Sequence, residues 1–229
     1  MTRALLLDLD DTLYRERRFA LSGFAAVARS VEEGYGFAAR QAFRMLRDAL
    51  ANGRRGEAFQ VLAQAVGADE AQVDGFREVY RRHQPRLRLP RISRDAIALA
   101  RRSWRVAVLT NGLPAVQRSK VDALGLAGLV DEVFYAHEMG TGKPDPAVFL
   151  AACRALRVSP ARSVMAGDDP WCDVDGARRA GLRAIRVRQG WHRSVESGET
   201  GPADVTVRTI AEVPAAAARL IHESHDHAD

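Results

Sequence analysis

Four short apolar runs, at residues 4–9, 106–109, 163–166 and 184–187, are each followed by a turn and then by a helix-like stretch. Strands separated by helices cannot pair as hairpins, so this order predicts an α/β core, a doubly wound parallel sheet with helices on its faces. Residues 133–135 and 205–207 are weaker strands, and helices are expected at 93–102, 114–124, 146–156, 174–180 and 210–221. In open sheets of this kind ligands sit beyond the carboxyl ends of the strands.

The segment from 15 to 86 breaks the alternation. Phe24, Val27, Ala28 and Val31 fit one helical stripe, as do Phe43, Leu46 and Leu50, then Phe59, Leu62, Ala63 and Val66, then Val73, Phe76 and Tyr80. Four helices in an insertion make a small all-helical cap. The expected division is therefore a core of residues 1–14 and 87–229 with a cap domain of residues 15–86. The polar tail, 223–229, is expected to fray into solvent.

Composition narrows the partners. Lys120 and Lys143 are the two lysines among 34 Lys+Arg, which leaves 32 arginines, and these are scattered as singles and pairs. The formal charge of +5 suits an anionic substrate, whereas the scatter gives no stripe for nucleic acid. No apolar stretch reaches the roughly 18 residues of a membrane span, and Asp8 interrupts the first run before a secretory segment could form. With Cys153 and Cys172 as the two cysteines there is no disulfide framework, and a cytoplasmic location is expected.

The chemistry gathers at strand ends. Asp8 and Asp10 flank Leu9, and side chains two apart on an extended chain share a face. Asp8 is the candidate nucleophile and Asp10 the general acid, then base, because an aspartyl-phosphate splits a difficult displacement into two easier ones. Thr12 orients Asp10 or caps the turn. Gly167-Asp168 repeats the strand-then-acid pattern, with Asp173 five residues on where the next helix begins. Asp168 is a direct metal-ligand candidate; Asp173 acts through water or by holding Lys143, and Asp169 sits behind the ion or in solvent. Unpaired buried carboxylates would be costly, and a hard divalent cation relieves them.

Thr110-Asn111-Gly112, after the second strand, offers a hydroxyl, an amide and backbone N–H groups to a phosphate, or simply a turn into a helix. Lys143, between Gly142 and Pro144, supplies a compact ammonium in a chain that otherwise uses arginine, to neutralise Asp8 and an incoming phosphate. Lys120 is assigned to a solvated helix face. Cys172 is either oxidation-sensitive or a small packing residue.

Taken in order, Asp8-x-Asp10-x-Thr12, Thr110-Asn111, Lys143-Pro144 and Gly167-Asp168-x-x-x-x-Asp173 resemble the four motifs of the haloacid dehalogenase-like hydrolase superfamily. The resemblance implies a Rossmann-like core, a mobile helical cap and Mg2+. It also implies Asp8 as nucleophile, Asp10 as acid/base and backbone metal contact, Thr110 and Asn111 as phosphate binders, Lys143 as charge partner, and Asp168 and Asp173 as metal acids, so that Asp8, Asp10, Asp168 and Asp173 form the metal set. Dehalogenases of this superfamily lack an acid at the position of Asp10, which disfavours dehalogenation, and the cap has no lysine for phosphonate cleavage through a Schiff base. The expected activity is a phosphatase, a phosphomonoester hydrolase acting on a small phosphorylated metabolite such as a sugar phosphate or nucleotide. A sugar phosphomutase and a non-catalytic binding protein are the alternatives, and the protein is expected as a monomer or homodimer. Arg54 and Arg55 in the cap, and also Arg17, Arg18 and Arg44, are candidates for a second anionic group of the substrate, or solvated surface.

Overall fold

The computed structural model describes residues 2–195 and 201–223. The chain falls into two compact units, residues 1–16 with 88–229 and residues 17–87.

The smaller unit is all helical: α1 (Arg17–Tyr35), α2 (Ala39–Ala51), α3 (Ala58–Val66) and α4 (Glu70–Arg82). Its interior is the set of stripes read from the sequence, with Phe24, Val27, Val31, Leu46, Leu50, Leu62 and Phe76 buried. Phe43, Phe59, Val66 and Tyr80 pack at the margin of that cluster. The start of α4 is fixed by a reciprocal cap, in which the Asp69 carboxylate accepts from Gln72 N–H and the Gln72 side chain accepts from Asp69 N–H.

The larger unit is built on one parallel six-stranded sheet of β1 (Ala4–Leu7), β2 (Arg105–Thr110), β3 (Glu132–Tyr135), β4 (Ser163–Gly167), β5 (Arg183–Val187) and β6 (Val205–Val207), ordered β3-β2-β1-β4-β5-β6. Helices α5 (Arg91–Ala100), α6 (Pro114–Leu124), α7 (Pro146–Leu156), α8 (Gly176–Arg179) and α9 (Val213–Glu223) connect or follow these strands. The doubly wound parallel class is thus observed. All of β1 and β4 is buried, as expected for strands covered on both faces, and Leu6, Leu109, Met165, Val148 and Phe149 share one core cluster. The two weaker strands, β3 and β6, are both present at the sheet edges.

Three helices depart from expectation, α5 lying two residues earlier than 93–102 at both ends. The chain after β4 forms a wide π-helical turn, Pro170–Asp175, before the short α8, rather than one helix over 174–180. Close packing explains where it ends: a Cβ on Gly176 would lie 2.8 Å from the Pro144 Cα. The last helix begins three residues late, after a 3-10 turn at Ile210–Glu212. The polar tail from residue 224 onward lies outside the described residues. No described helix is long and apolar enough to cross a membrane.

Strand order reverses between β1 and β4, which makes their carboxyl ends the crevice of the sheet. Leu7 pairs with Ala166 there, and Asp8 N–H still donates to the Ala166 carbonyl at 2.9 Å. The acids that follow the two strands are therefore set side by side by backbone register alone.

Phe149 is fully buried between the sheet and the wide turn. Phe149→Ala is expected to lower the stability of the larger unit by about 3–5 kcal/mol, read from the denaturant midpoint at unchanged slope.

Candidate active site

Beyond the ends of β1, β2 and β4 lies a cavity of about 160 Å³ whose walls include Asp8, Asp10, Thr110, Lys143, Asp168 and Asp173. The seven residues expected to carry the chemistry are brought together here, Asn111 completing the set. Lys143 is at its centre. The Nζ donates to Asp8 Oδ1 at 2.7 Å and to Asp173 Oδ1 at 2.6 Å, with only 2% of the lysine side chain exposed. Burial disfavours the ammonium, but Asp173 and Asp8 outweigh it and hold Lys143 charged above the ordinary lysine range.

The loop carrying Lys143 is clamped by Asn111. The Asn111 amide donates to the Lys143 carbonyl at 2.8 Å, and its Oδ1 accepts from Lys143 N–H at 2.9 Å. The Asn111 side chain is thereby engaged with the lysine backbone, a task that the tripeptide Thr110-Asn111-Gly112 did not disclose.

Asp8, Asp168 and Asp173 each present a carboxylate oxygen within 4.8 Å of the others, and all three are buried. Burial is the main cause that raises Asp8 to about 7 and Asp168 to about 6; it likewise raises Asp173 against the pull of Lys143. An all-oxygen donor set of buried acids fits a hard divalent cation. The Asp10 side chain is not in that cluster. Gly167 makes the cluster possible, since a Cβ at that position would overlap the Asp173 carboxylate.

Asp10 has its own partners. Its Oδ1 accepts from Tyr14 OH at 2.6 Å, and its Oδ2 accepts from Gln117 Nε2 at 2.9 Å and from Lys120 Nζ at 2.7 Å. Burial pushes Asp10 up, but the Lys120 charge, followed by the hydrogen bonds from Lys120, Tyr14 and Gln117, holds its carboxyl below the usual range. The solvated face expected for Lys120 is thus corrected: its side chain is 5% exposed. Gln117, Lys120, Val121 and Leu124 form the inward stripe of α6, a spacing of three, four and seven that was readable had polar residues been admitted to it. Thr12, expected to orient Asp10 or cap the turn, does neither by its hydroxyl, which is buried without a hydrogen-bond partner.

The loop between β1 and the helical unit is braced from beneath. Ser93 Oγ donates to the Leu13 carbonyl at 2.6 Å, and Gln189 Nε2 donates to the Thr12 carbonyl at 2.7 Å. Asp11, at φ 57°, accepts from Glu16 N–H and Trp191 N–H. Asp169 caps the wide turn, accepting from Trp171 N–H and Cys172 N–H, and also lines the cavity. The Cys172 thiol is pushed up to about 12 by burial and by Asp169 and Asp173, so it stays protonated rather than becoming a reactive thiolate.

His192 escaped the sequence reading. Its Nδ1 lies 3.0 Å from Asp168 Oδ2, and that contact raises the imidazole to about 9. It reaches the site from a 3-10 turn, Trp191–Ser194, with no apolar or acidic pattern around it to mark it out. Of the arginines named as candidates for a second anionic group, Arg54 pairs with Glu57, while Arg17, Arg18 and Arg44 are exposed.

A model of the haloacid dehalogenase-like hydrolases matches residues 2–181, and the chain belongs to that family. The phosphoserine phosphatase of Thermus thermophilus is 36% identical over 154 residues, 67% of this chain and 61% of that protein. The glyceraldehyde 3-phosphate phosphatase of Methanopyrus kandleri is 28% identical over 205 residues, 86% of this chain and 88% of that protein. Among solved structures, a 2-haloacid dehalogenase from Pseudomonas syringae aligns over 96% of this chain and 99% of its own, with a TM-score of 0.65 and 25% identity.

The raised groups set a pH dependence. From about pH 4 the folded protein keeps protons that the unfolded chain has released, on Asp8 up to about 7 and on Asp168 up to about 6, and from about 6.5 to 9 it keeps one on His192, so stability falls as pH rises across both windows. Without divalent ions the thermal midpoint is expected to fall from about pH 5 to about pH 9, and added Mg2+ to raise it more at the alkaline end. Calorimetry with and without chelator checks this; a midpoint that climbs with pH in chelator contradicts it.

Proposed function

We propose that this chain is a Mg2+-dependent phosphomonoester hydrolase that acts on a small phosphorylated metabolite through an aspartyl-phosphate on Asp8. The observation that carries the reading is the buried Lys143 ammonium held jointly by Asp8 and Asp173 at the crevice between β1 and β4. That arrangement prepares a carboxylate and a countercharge where an anionic phosphoryl group would enter.

In the first step an Asp8 carboxylate oxygen bonds to phosphorus, the bond from phosphorus to the leaving oxygen breaks, and Asp10, ionised beside Lys120 before substrate enters, passes to that oxygen the proton it takes from the monoanionic phosphate ester. In the second, water bonds to phosphorus, Asp10 takes the water proton, and the bond from phosphorus to Asp8 breaks, releasing phosphate. Lys143 offsets charge throughout, and Thr110 together with the Asn111 turn receives phosphate oxygens. The Asp8, Asp168 and Asp173 carboxylates, with the Asp10 backbone, would hold Mg2+, which when bound would supply Lewis-acid neutralisation of the phosphoryl group. The helical unit serves as the cap that governs access and choice of substrate.

The names of the relatives support a phosphate ester as substrate, two of them esters of three-carbon compounds. Dehalogenation, the activity named for one structural neighbour, needs no proton donor for a halide leaving group, whereas Asp10 here sits in a dedicated set of donors.

The purified chain is expected to release phosphate from members of a phosphate-ester panel, to stop in chelator, and to lose at least about 10³-fold of kcat in Asp8→Asn. Phosphate release that survives either chelator or Asp8→Asn overturns the reading, as does halide release from a 2-haloacid in the absence of any phosphatase activity.

A further inference from the structure

We propose that Gln117 and Lys120 are positioning residues for Asp10, fixing its carboxyl group and tying it to Thr110; the inference rests on Asp10 moving the proton in the reaction above. The two residues project from the inward face of α6, three positions apart. Lys120 Nζ and Gln117 Nε2 reach the same oxygen, Asp10 Oδ2, at 2.7 and 2.9 Å, while Tyr14 OH holds Oδ1 at 2.6 Å. Both oxygens of Asp10 are therefore engaged, which sets the rotation of the carboxyl plane as well as its place.

The Gln117 amide does more than hold one acid. Its Nε2 also donates to Thr110 Oγ1 at 2.6 Å, and that hydroxyl in turn donates to the Asn111 carbonyl at 3.3 Å. A single nitrogen thus bridges the proposed proton carrier and a proposed phosphate-binding residue. Movement at either is transmitted to the other through a bond that cannot lengthen without loss.

Packing alone does not account for these side chains. An ammonium 5% exposed is costly unless an acid answers it, and an apolar residue would fill the same inward stripe at lower cost. The chain carries two lysines among 34 Lys+Arg, and each ammonium lies 2.7 Å from one acid of the first motif: Lys143 at Asp8, Lys120 at Asp10. A compact ammonium fits beside the Gln117 amide on one carboxylate oxygen, where the wide fork of arginine would demand both.

The test compares kcat/KM for an alkyl phosphate with that for p-nitrophenyl phosphate, because the poor leaving group needs the Asp10 proton and the good one scarcely does. That ratio reads acid positioning, while general damage to the site lowers both substrates together. In Lys120→Met and, separately, Gln117→Ala, the alkyl substrate is expected to lose about tenfold more than the aryl one, with Asp10→Asn as the reference for complete loss of the donor. In Lys120→Ala, added ethylammonium is expected to restore part of the ratio. A ratio that falls in Asp10→Asn but is unchanged or higher in both α6 variants overturns the positioning role and leaves the phosphatase reading standing. A ratio unchanged in Asp10→Asn as well removes the acid itself, and with it the proposal.

Discussion

One ammonium between two carboxylates holds the site in register. Lys143 reaches Asp8 at the end of β1 and Asp173 on the wide turn after β4, so it joins two segments 30 and 135 residues away in sequence. Without it, Asp8 and Asp173 would be buried acids facing Asp168 with no ammonium between them, His192 answering Asp168 alone. With it, two oxygens are committed to the lysine and others remain for a cation. Breaking such a pair by removing one partner costs more than the pair contributes, because a charge is then stranded away from water.

The architecture makes this convergence inexpensive in backbone terms. Parallel strands bring their carboxyl ends to one edge, and the reversal of order between β1 and β4 leaves a gap there for side chains and ligand. Lys143 arrives from the loop after β3, clamped by both hydrogen bonds of the Asn111 amide, so the end of β2 determines where the lysine backbone lies. Rigid elements thus set each position, and the intervening turns need only connect them.

Much of this was legible in the chain because apolar strands and helical stripes depend on local periodicity. The helices at Pro114–Leu124 and Pro146–Leu156 begin at prolines and follow their stripes to the residue expected. What escaped was set by contacts between distant segments. Lys120 looked like a surface lysine because its partner, Asp10, is 110 positions away and no apolar pattern signals a buried ion pair. His192 is invisible for the same reason, and the wide turn at Pro170–Asp175 answers to the crowding of Gly176 against Pro144, a constraint no local window contains. Thr12 errs the other way: a hydroxyl at a suggestive spacing finds no partner.

The scarcity of lysine has a practical corollary. On most proteins amine-directed reagents scatter over dozens of surface groups, but the side-chain amines of this chain are two, and the fold withholds both from solvent. Acylation counted by mass spectrometry would then follow the local opening of the crevice itself, turning an ordinary labelling reaction into a clock for the breathing of one pocket.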